Sequence, residues 1–340
     1  MCGDSGRRRS VVNVIQTILR KSGHNLSKPI AQHSVACHTQ WVLCFLFKNK
    51  TKKQQNKNNQ KRYDQYAQWH LNKYNIKRET LAMCPVLMSQ NSLYHPYSMY
   101  NSSGATASYT LEEVINSKQI GKVTNLLECA RRVASAHSNI RIRVQFADGG
   151  AAIVVCDQQF ISAHRKKTGD GKNIVILGGG EGGGRLVCFF SQWSLFPREK
   201  IEESDLSCEL ACDIAFEECQ LRTSDIQWFG LYDCFPVCLI RAIEAVGLAP
   251  RGKGANYIRH NYEQLVQLQK KNNFSRLPED VMNQFVHQFP INTHGGLLAF
   301  GTFAFCFSLS IASNIFNYIL QKRQNKSWIV FFILQTIDDF

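Results

Sequence analysis

The chain lacks the motifs of several common binding sites. Its 13 cysteines include no Cys-x-x-Cys pair repeated at zinc-finger spacing, so no structural metal site is expected. The glycine cluster within residues 173–184 is followed by Arg185-Leu-Val, whereas a Walker loop needs Lys-Ser/Thr there to reach phosphate and Mg²⁺. Nor do these glycines open a helix, as a dinucleotide fingerprint requires. The cluster therefore predicts a flexible turn between two strands, with a phosphate site as the alternative.

Clear targeting signals are also missing. The last three residues are Asp-Asp-Phe, which is not a peroxisomal address of the Ser-Lys-Leu type. Residues 1–21 place three arginines before apolar residues at helical spacing, a pattern typical of a transit peptide, but Asp4 and the short length disagree with it. An odd number of cysteines without a signal peptide favours a reducing compartment. We expect an intracellular protein, with peroxisome, mitochondrion and cytoplasm not distinguished.

Acidic residues are absent from one strongly basic stretch. The 340-residue chain has 44% hydrophobic residues and a net charge of +14, and its length predicts about two domains of roughly 150 residues each. Residues 48–62 carry lysine and arginine, interleaved with Asn and Gln, and no acid. Such blocks are usually disordered and solvated. No aromatic stacking platform accompanies this one, so no nucleic-acid partner is expected.

The chain is organised around residues 224–247. A short apolar strand over 226–231 leads through Tyr232-Asp233-Cys234-Phe235 into a helix over 237–246. A turn of this kind lies at the carboxyl edge of a sheet, where α/β proteins usually bind ligands. Cys234 lies in that turn, which makes it the candidate for chemistry.

Other segments predict the elements around this turn. Residues 63–83 have helical periodicity, and a second helix starts at Glu79. Thr110 and Glu113 form a capping-box pattern at the start of another helix. Residues 147–156 read as a central strand, and residues 207–221 as an amphipathic helix in which Cys208 and Cys212 are core residues. Residues 288–301 combine a short strand with a tight turn in which Gly295 and Gly296 let the backbone approach a ligand closely.

Five segments occur in the order found in one known family. They are Thr110-Leu-Glu-Glu-Val, Ala147-Asp-Gly-Gly-Ala-Ala-Ile-Val-Val, the helix up to Leu221 with Ser224-Asp-Ile, Tyr232-Asp-Cys-Phe, and Asn292-Thr-His-Gly-Gly-Leu-Leu. Together they resemble the thiolase superfamily, and within it the sterol-carrier-protein-type thiolases and their thiolase-like relatives. The resemblance covers about residues 63–301.

The resemblance implies an α/β protein with the layered α/β/α/β/α thiolase-like fold, incomplete in this chain, and a homodimer. It implies residues 63–206 as the remainder of the N-terminal half and 207–301 as a partial C-terminal half. Residues 1–62 are then a non-family or disordered segment, and residues 302–340 a non-family apolar tail. We interpret these two segments and residues 133–146 as insertions of the kind that unspliced coding sequence leaves.

The implied activity is transfer of acyl groups between coenzyme A thioesters, with acyl-CoA as the partner and no cofactor beyond that substrate. Cys234 matches the family's acid/base cysteine. Tyr232 stands where the family motif has histidine, and a phenol can donate a hydrogen bond but cannot shuttle a proton near neutral pH. Gly295 and Gly296 fall in the ligand-binding glycine turn.

Two family features are not found in the sequence. The nucleophile cysteine of a Cys-x-Ser/Gly turn has no equivalent, because Cys37 and Cys44 lack that context. After Gly301 the chain reads Thr-Phe-Ala, where the family continues with His-Pro.

Three functions therefore stay open. The first is an impaired acyl-CoA C-acyltransferase of lipid or sterol metabolism. The second is a non-catalytic acyl-CoA or lipid-binding protein with the same fold. The third is a membrane-anchored interaction protein, because residues 297–320 form an apolar run followed by basic residues.

Overall fold

The computed structural model describes residues 52–130, 176–180, 208–272, 276–301 and 331–332, with side chains described from residue 63 to residue 301. Several predictions lie outside these residues: the transit-like segment, the strand over 147–156, the proposed insertion at 133–146 and nearly all of the apolar tail. The domain boundaries and the proposed insertions stay predictions.

The described residues are mainly helical, and the helices predicted after Thr110, over 207–221 and over 237–246 lie within two residues of the expected positions. The helices are α1 (Lys52–Tyr74), α2 (Glu79–Ser92), α3 (Met99–Ser102), α4 (Leu111–Ile115), α5 (Cys208–Cys219), α6 (Pro236–Ala245), α7 (Gly254–Asn272) and α8 (Glu279–Gln288), with 3₁₀ turns at Leu126–Glu128 and Thr223–Asp225 and a π-helical turn at Gly296–Phe300.

Helix α1 corrects one prediction. It begins at Lys52, so the disorder expected for the basic block is wrong for residues 52–62. The physical reason is that lysine, glutamine and arginine are good helix formers, and the helix continues into a buried face. Ala67, His70 and Leu71 of that face are buried.

Two capping and burial predictions have clear outcomes. The backbone N–H of Glu113 donates to Thr110 Oγ1 at 3.1 Å, and the Thr110 N–H donates to Glu113 Oε2 at 2.7 Å, which confirms the capping box. Helix α5 buries Cys212 between Ala211 and Ala215. Leu210 of the same helix is 50% exposed, because α5 turns only a narrow face to the core.

Helix α2 lies at the centre of the packing. Its residues are buried from Thr80 to Ser92, apart from Met83. It contacts α4, α6, α7 and the π-helical turn. The core that results includes large side chains that are at most 2% exposed: Leu81, Leu87, Met88, Ile240, Ile243 and Ile258.

The sheet contacts are short and parallel. Strand β1 (Phe229–Gly230) pairs with β2 (Phe331–Phe332) in the register Phe229 to Phe331. Phe229 also forms a parallel bridge with Ile291, and its backbone N–H donates to the Pro290 carbonyl at 2.9 Å. The strand predicted over 226–231 is therefore two residues long, and it brings residues 290–292 beside the start of the Cys234 turn.

The described part of the glycine cluster, residues 176–180, lies against α5. The Gly179 N–H donates to Glu218 Oε2 at 2.7 Å. This contact ties the described part to a helix, whereas the sequence predicted a flexible turn; the remainder of the cluster lies outside the described residues.

None of the helices within the described ranges is long and apolar enough to cross a membrane. The proposed span at 297–320 lies beyond Gly301 for most of its length, so it stays a prediction.

Candidate functional site

The Cys234 turn joins β1 to α6. Phe235 is extended (φ −140°, ψ 153°) as the N-cap, and Pro236 occupies the first helical position, where a missing N–H is tolerated. This geometry lays Cys234 over the first turn of α6. Its Sγ lies 3.7 Å from Cys238 Sγ. Cys234 is 5% exposed and Cys238 is half-buried.

Two tyrosines complete this group. The Tyr63 ring of α1 stacks on Phe235 with centroids 4.7 Å apart. Burial raises the pKa of Tyr63 and of Tyr232 well above the ordinary value, and the neighbouring Cys234 raises both further. Both phenols are therefore neutral near pH 7 and act only through hydrogen bonding. We call Tyr63, Tyr232, Cys234 and Cys238 the thiol–phenol cluster.

Asp233 connects the turn to the glycine segment. Its buried carboxyl accepts a hydrogen bond from the Leu297 N–H at 2.7 Å and from the Leu298 N–H at 3.4 Å. Burial raises the pKa of Asp233 to about 7, although these N–H donors act in the opposite direction. The side chain beside Cys234 thus holds the π-helical turn at Gly296–Phe300 in place.

Asn292 completes the connection from the other side. Its backbone is left-handed (φ 43°), which Asn tolerates better than most residues. Its Oδ1 accepts from the Leu231 N–H and its Nδ2 donates to the Leu231 carbonyl, both at 2.8 Å. The Asn91 amide of α2 donates to the Ile291 and Asn292 carbonyls at 3.1 and 3.2 Å. These side chains replace backbone ladder bonds that the short strand does not form.

The backbone conformation and the close packing of this turn both require glycine at positions 295 and 296. Gly295 and Gly296 have φ values of +108° and +59°. A Cβ on Gly295 would lie 2.5 Å from Ser92 Cβ, and one on Gly296 would lie 1.9 Å from Asp233 Oδ2. The close approach that the structure shows at these glycines is to Ser92 and Asp233. A ligand-binding role for the glycines stays a prediction.

His294 is next to the glycines but packs as a neutral ring. Burial, and secondarily His95, lowers the pKa of His294 to about 3. The rings of His294 and His95 lie against Phe300 at 5.4 and 4.9 Å. His294 is accordingly uncharged near neutral pH.

The structure brings the predicted site residues Cys234 and Tyr232 together in one turn, with Gly295 and Gly296 joined to it through Asp233. Sequence reasoning missed Tyr63, Cys238 and the supporting role of Asn292. The position of Cys238, four residues after Cys234 at a helix start, was a usable signal, whereas nothing local to Tyr63 points to the turn. Among the described residues, no group of three His, Cys, Asp or Glu side chains is placed to hold a metal ion.

Comparison with known proteins finds similarity to thiolases and sterol carrier proteins. A family model described as "Thiolase C-terminal domain-like" matches residues 195–265, a range that holds the Cys234 turn. The acetyl-CoA acetyltransferase of Methanothermobacter thermautotrophicus is 23% identical over 70% of this chain and 49% of its own length. Sterol carrier protein 2 of Oryctolagus cuniculus is 29% identical over 54% of this chain and 29% of its own length.

A third relative, the non-specific lipid-transfer protein-like 2 of Caenorhabditis elegans, is 27% identical over 57% of this chain and 41% of its own length. The chain thus spans about half or less of the length of these relatives. A solved structure titled "Ltp2-ChsH2(DUF35) aldolase" aligns with a TM-score of 0.49 and 17% identity over 84% of this chain and 60% of its own.

The family match and the named relatives agree with the α/β class expected from the sequence, and the parallel pairing of β1 is consistent with it. The chain is therefore similar to the thiolase superfamily, and within it to thiolase-like proteins and sterol carrier protein 2.

Proposed function

We propose that this chain is a thiolase-like acyltransferase of lipid or sterol metabolism that binds acyl-coenzyme A thioesters through the Cys234 turn. The observation that carries the proposal is the hydrogen bond from the Leu297 N–H to Asp233, because it joins the cysteine motif and the glycine motif into one unit. Two relatives support the choice of ligand by their names, an acetyl-CoA acetyltransferase and the benzoylsuccinyl-CoA thiolase subunit BbsB of Thauera aromatica, which is 25% identical over 58% of this chain.

Cys234 is proposed as the acid/base group. A hydrogen α to a thioester carbonyl is acidic enough to be removed when the developing enolate is stabilised, and a positioned thiol or thiolate can carry that proton. The neutral Tyr232 hydroxyl is proposed to donate a hydrogen bond to the enolate oxygen, the place where negative charge develops. Tyr232 does not move a proton, so this site is expected to be slower than one with histidine at that position.

Thiolysis is the first test. The full chain is incubated with acetoacetyl-CoA and CoA, and the loss of substrate absorbance is followed. Cys234→Ala should lower the rate by about 10²-fold or more, the usual contribution of a general acid/base group. Cys238→Ala, which removes the neighbouring thiol, is the matched control and should retain most of the rate. Turnover that survives Cys234→Ala unchanged would contradict the proposed role.

A second readout separates proton transfer from acyl transfer. In D₂O, exchange of the α-hydrogens of acetyl-CoA needs an acid/base group but no nucleophile, and mass spectrometry measures it. Exchange without thiolysis, lost in Cys234→Ala, is the result expected if the chain lacks the nucleophile cysteine.

A second candidate is a non-catalytic acyl-CoA or lipid-binding protein, favoured by Tyr232 at the histidine position and by Thr302 where the family has histidine. Calorimetric binding of acetyl-CoA with neither thiolysis nor exchange would select this candidate. Absence of binding would reject both.

Family relationship also leads us to propose an intracellular homodimer. Sedimentation of the purified chain tests the dimer. Carbonate extraction of cells tests the membrane alternative at residues 297–320, since an integral protein stays in the pellet and a peripheral or soluble one is released.

A further inference from the structure

We propose that Cys234 and Cys238 are a modification site: a peroxide-sensitive dithiol that closes to a disulfide and thereby blocks the Cys234 thiol. The motif shared with the family ends at Phe235, and Cys238 lies outside it. Only the effect on activity rests on the proposed function, because disulfide formation itself needs no turnover.

The sulfur atoms of Cys234 and Cys238 are in contact. Neither cysteine is in a disulfide, and their Sγ atoms lie 3.7 Å apart, whereas a disulfide bond is about 2.05 Å long. Rotation of the side chains between staggered positions brings the sulfurs closer. Because Cys234 precedes the N-cap, its backbone can adjust without breaking a hydrogen bond inside α6.

A second pair of cysteines in this chain, Cys208 and Cys212, has the same sequence spacing but a different backbone. Cys208 and Cys212 are also four residues apart, but both lie within α5. Residues four apart in a regular helix have Cβ atoms about 5–6 Å apart, which is longer than the roughly 3.5–4.5 Å that a disulfide requires. The extended Phe235 between Cys234 and Cys238 removes that restriction. This chain thus contains its own control pair.

The exposure of the two cysteines indicates which of them reacts first with peroxide. Cys238 is half-buried and Cys234 is 5% exposed, and oxidation follows accessibility. The Cys238 thiolate attacks the peroxide oxygen, the O–O bond breaks, and sulfenic acid and hydroxide form. The Cys234 sulfur then attacks the sulfenic sulfur and displaces the second oxygen as water. Overall, two thiols and one peroxide give one disulfide and two waters, and a dithiol reductant reverses the change.

Trypsin separates the two pairs for the experiment. Cleavage after Lys200, Arg222 and Arg241 gives one peptide, 223–241, with Cys234 and Cys238, and another, 201–222, with Cys208, Cys212 and Cys219. The reduced full chain is treated with hydrogen peroxide under native conditions, alkylated after denaturation, digested and analysed by mass spectrometry. The expected result is a 223–241 peptide that has lost two hydrogens and takes up no alkylating agent, formed at least tenfold faster than any disulfide in 201–222.

Activity, where present, gives a second readout. Peroxide should inhibit the wild type and dithiothreitol should restore it, while Cys238→Ala should resist reversible inhibition. A disulfide in a chain without turnover would sustain this inference and reject the catalytic proposal.

The inference is overturned if both cysteines of 223–241 remain alkylated, or if the pair in α5 closes equally fast. The wild-type mass readout needs no variant, so a folding defect in Cys238→Ala leaves the test decisive. The alternative, in which both thiols only fill the core as small apolar groups, predicts no such selectivity.

Discussion

Replacing Gly296 by alanine should destabilise the protein much more than the same change at Gly104. Both glycines have a positive φ, +59° and +82° respectively, so both substitutions place alanine in left-handed backbone. The difference lies in the surroundings. A Cβ at Gly296 would lie 1.9 Å from Asp233 Oδ2, whereas at Gly104 it would meet nothing within 4 Å.

The magnitude follows from two contributions. Left-handed backbone costs a residue with a Cβ about 1–2 kcal/mol, and this cost is common to both variants. At Gly296 the Asp233 carboxyl must also move, which removes the acceptor of the Leu297 and Leu298 N–H groups. Each buried donor left without a partner costs about 1–3 kcal/mol. With two such donors, the free energy of unfolding should therefore fall by about 2–6 kcal/mol more for Gly296→Ala than for Gly104→Ala.

Urea unfolding followed by circular dichroism measures the difference, provided that the m-values of the variants agree. A difference below about 1 kcal/mol would refute the reasoning, since it is less than one unsatisfied donor. A double-mutant cycle sharpens the test. In an Asp233→Ala background the added methyl has no carboxyl to displace and meets only Asn292 Nδ2 at 2.9 Å. The cost of Gly296→Ala should therefore fall towards that of Gly104→Ala.

Two further predictions concern pH. Burial, and secondarily Arg241, lowers the pKa of His70 from 6.5 to about 3. Between these pH values only the unfolded chain is protonated at this residue, so the free energy of unfolding falls as the pH drops. Urea titrations of His70→Phe should show a loss of stability between pH 7 and pH 5 that is about 2 kcal/mol smaller than in the wild type. Burial also raises the pKa of Glu128 to about 7 despite its pairing with Arg78 at 2.7 Å. A raised carboxyl pKa means that the folded protein loses stability as the pH rises and Glu128 becomes charged. Arg78→Ala leaves that charge without its partner, so the free energy of unfolding should fall by about 3 kcal/mol at pH 8 and clearly less at pH 5, as measured by thermal and urea unfolding. An equal fall at both pH values would contradict this.

Local signals predicted the helices well. The capping box at Thr110 and the apolar spacing around Leu71 specify hydrogen bonds and burial within one or two turns, so the sequence contains the whole reason for them. The charge of residues 52–62 predicts disorder, whereas the intrinsic helix propensity of their lysine, glutamine and arginine agrees with the observed start of α1 at Lys52.

The support of the site was harder to predict because it depends on contacts between distant residues. Asp233 binds N–H groups in the Gly296–Phe300 turn, and Asn91 of α2 reaches the Ile291 and Asn292 carbonyls. Neither has a periodicity or a motif that names its partner. For Gly295 and Gly296 the close approach to a ligand stays a prediction, whereas their contacts with Ser92 and Asp233 are known only from the structure.

These contacts explain how the family resemblance persists while the chemical residues differ. The two-residue strand makes few backbone hydrogen bonds, and the side chains of Asp233 and Asn292 supply others. Gly296 leaves room for the Asp233 carboxyl. Replacing any of these residues would lower the stability of the fold, whatever the protein does. The hydrogen bonds of Asp233 go to Leu297 and Leu298, and those of Asn292 go to Leu231. None of these bonds uses the Tyr232 side chain, so a change at that position alters proton transfer while they remain. Conversion of the motif from His-Asp-Cys-Phe to Tyr-Asp-Cys-Phe is therefore compatible with an intact turn. Cys234 keeps its position because the Asp233 carboxyl beside it is anchored to the Leu297 and Leu298 N–H groups.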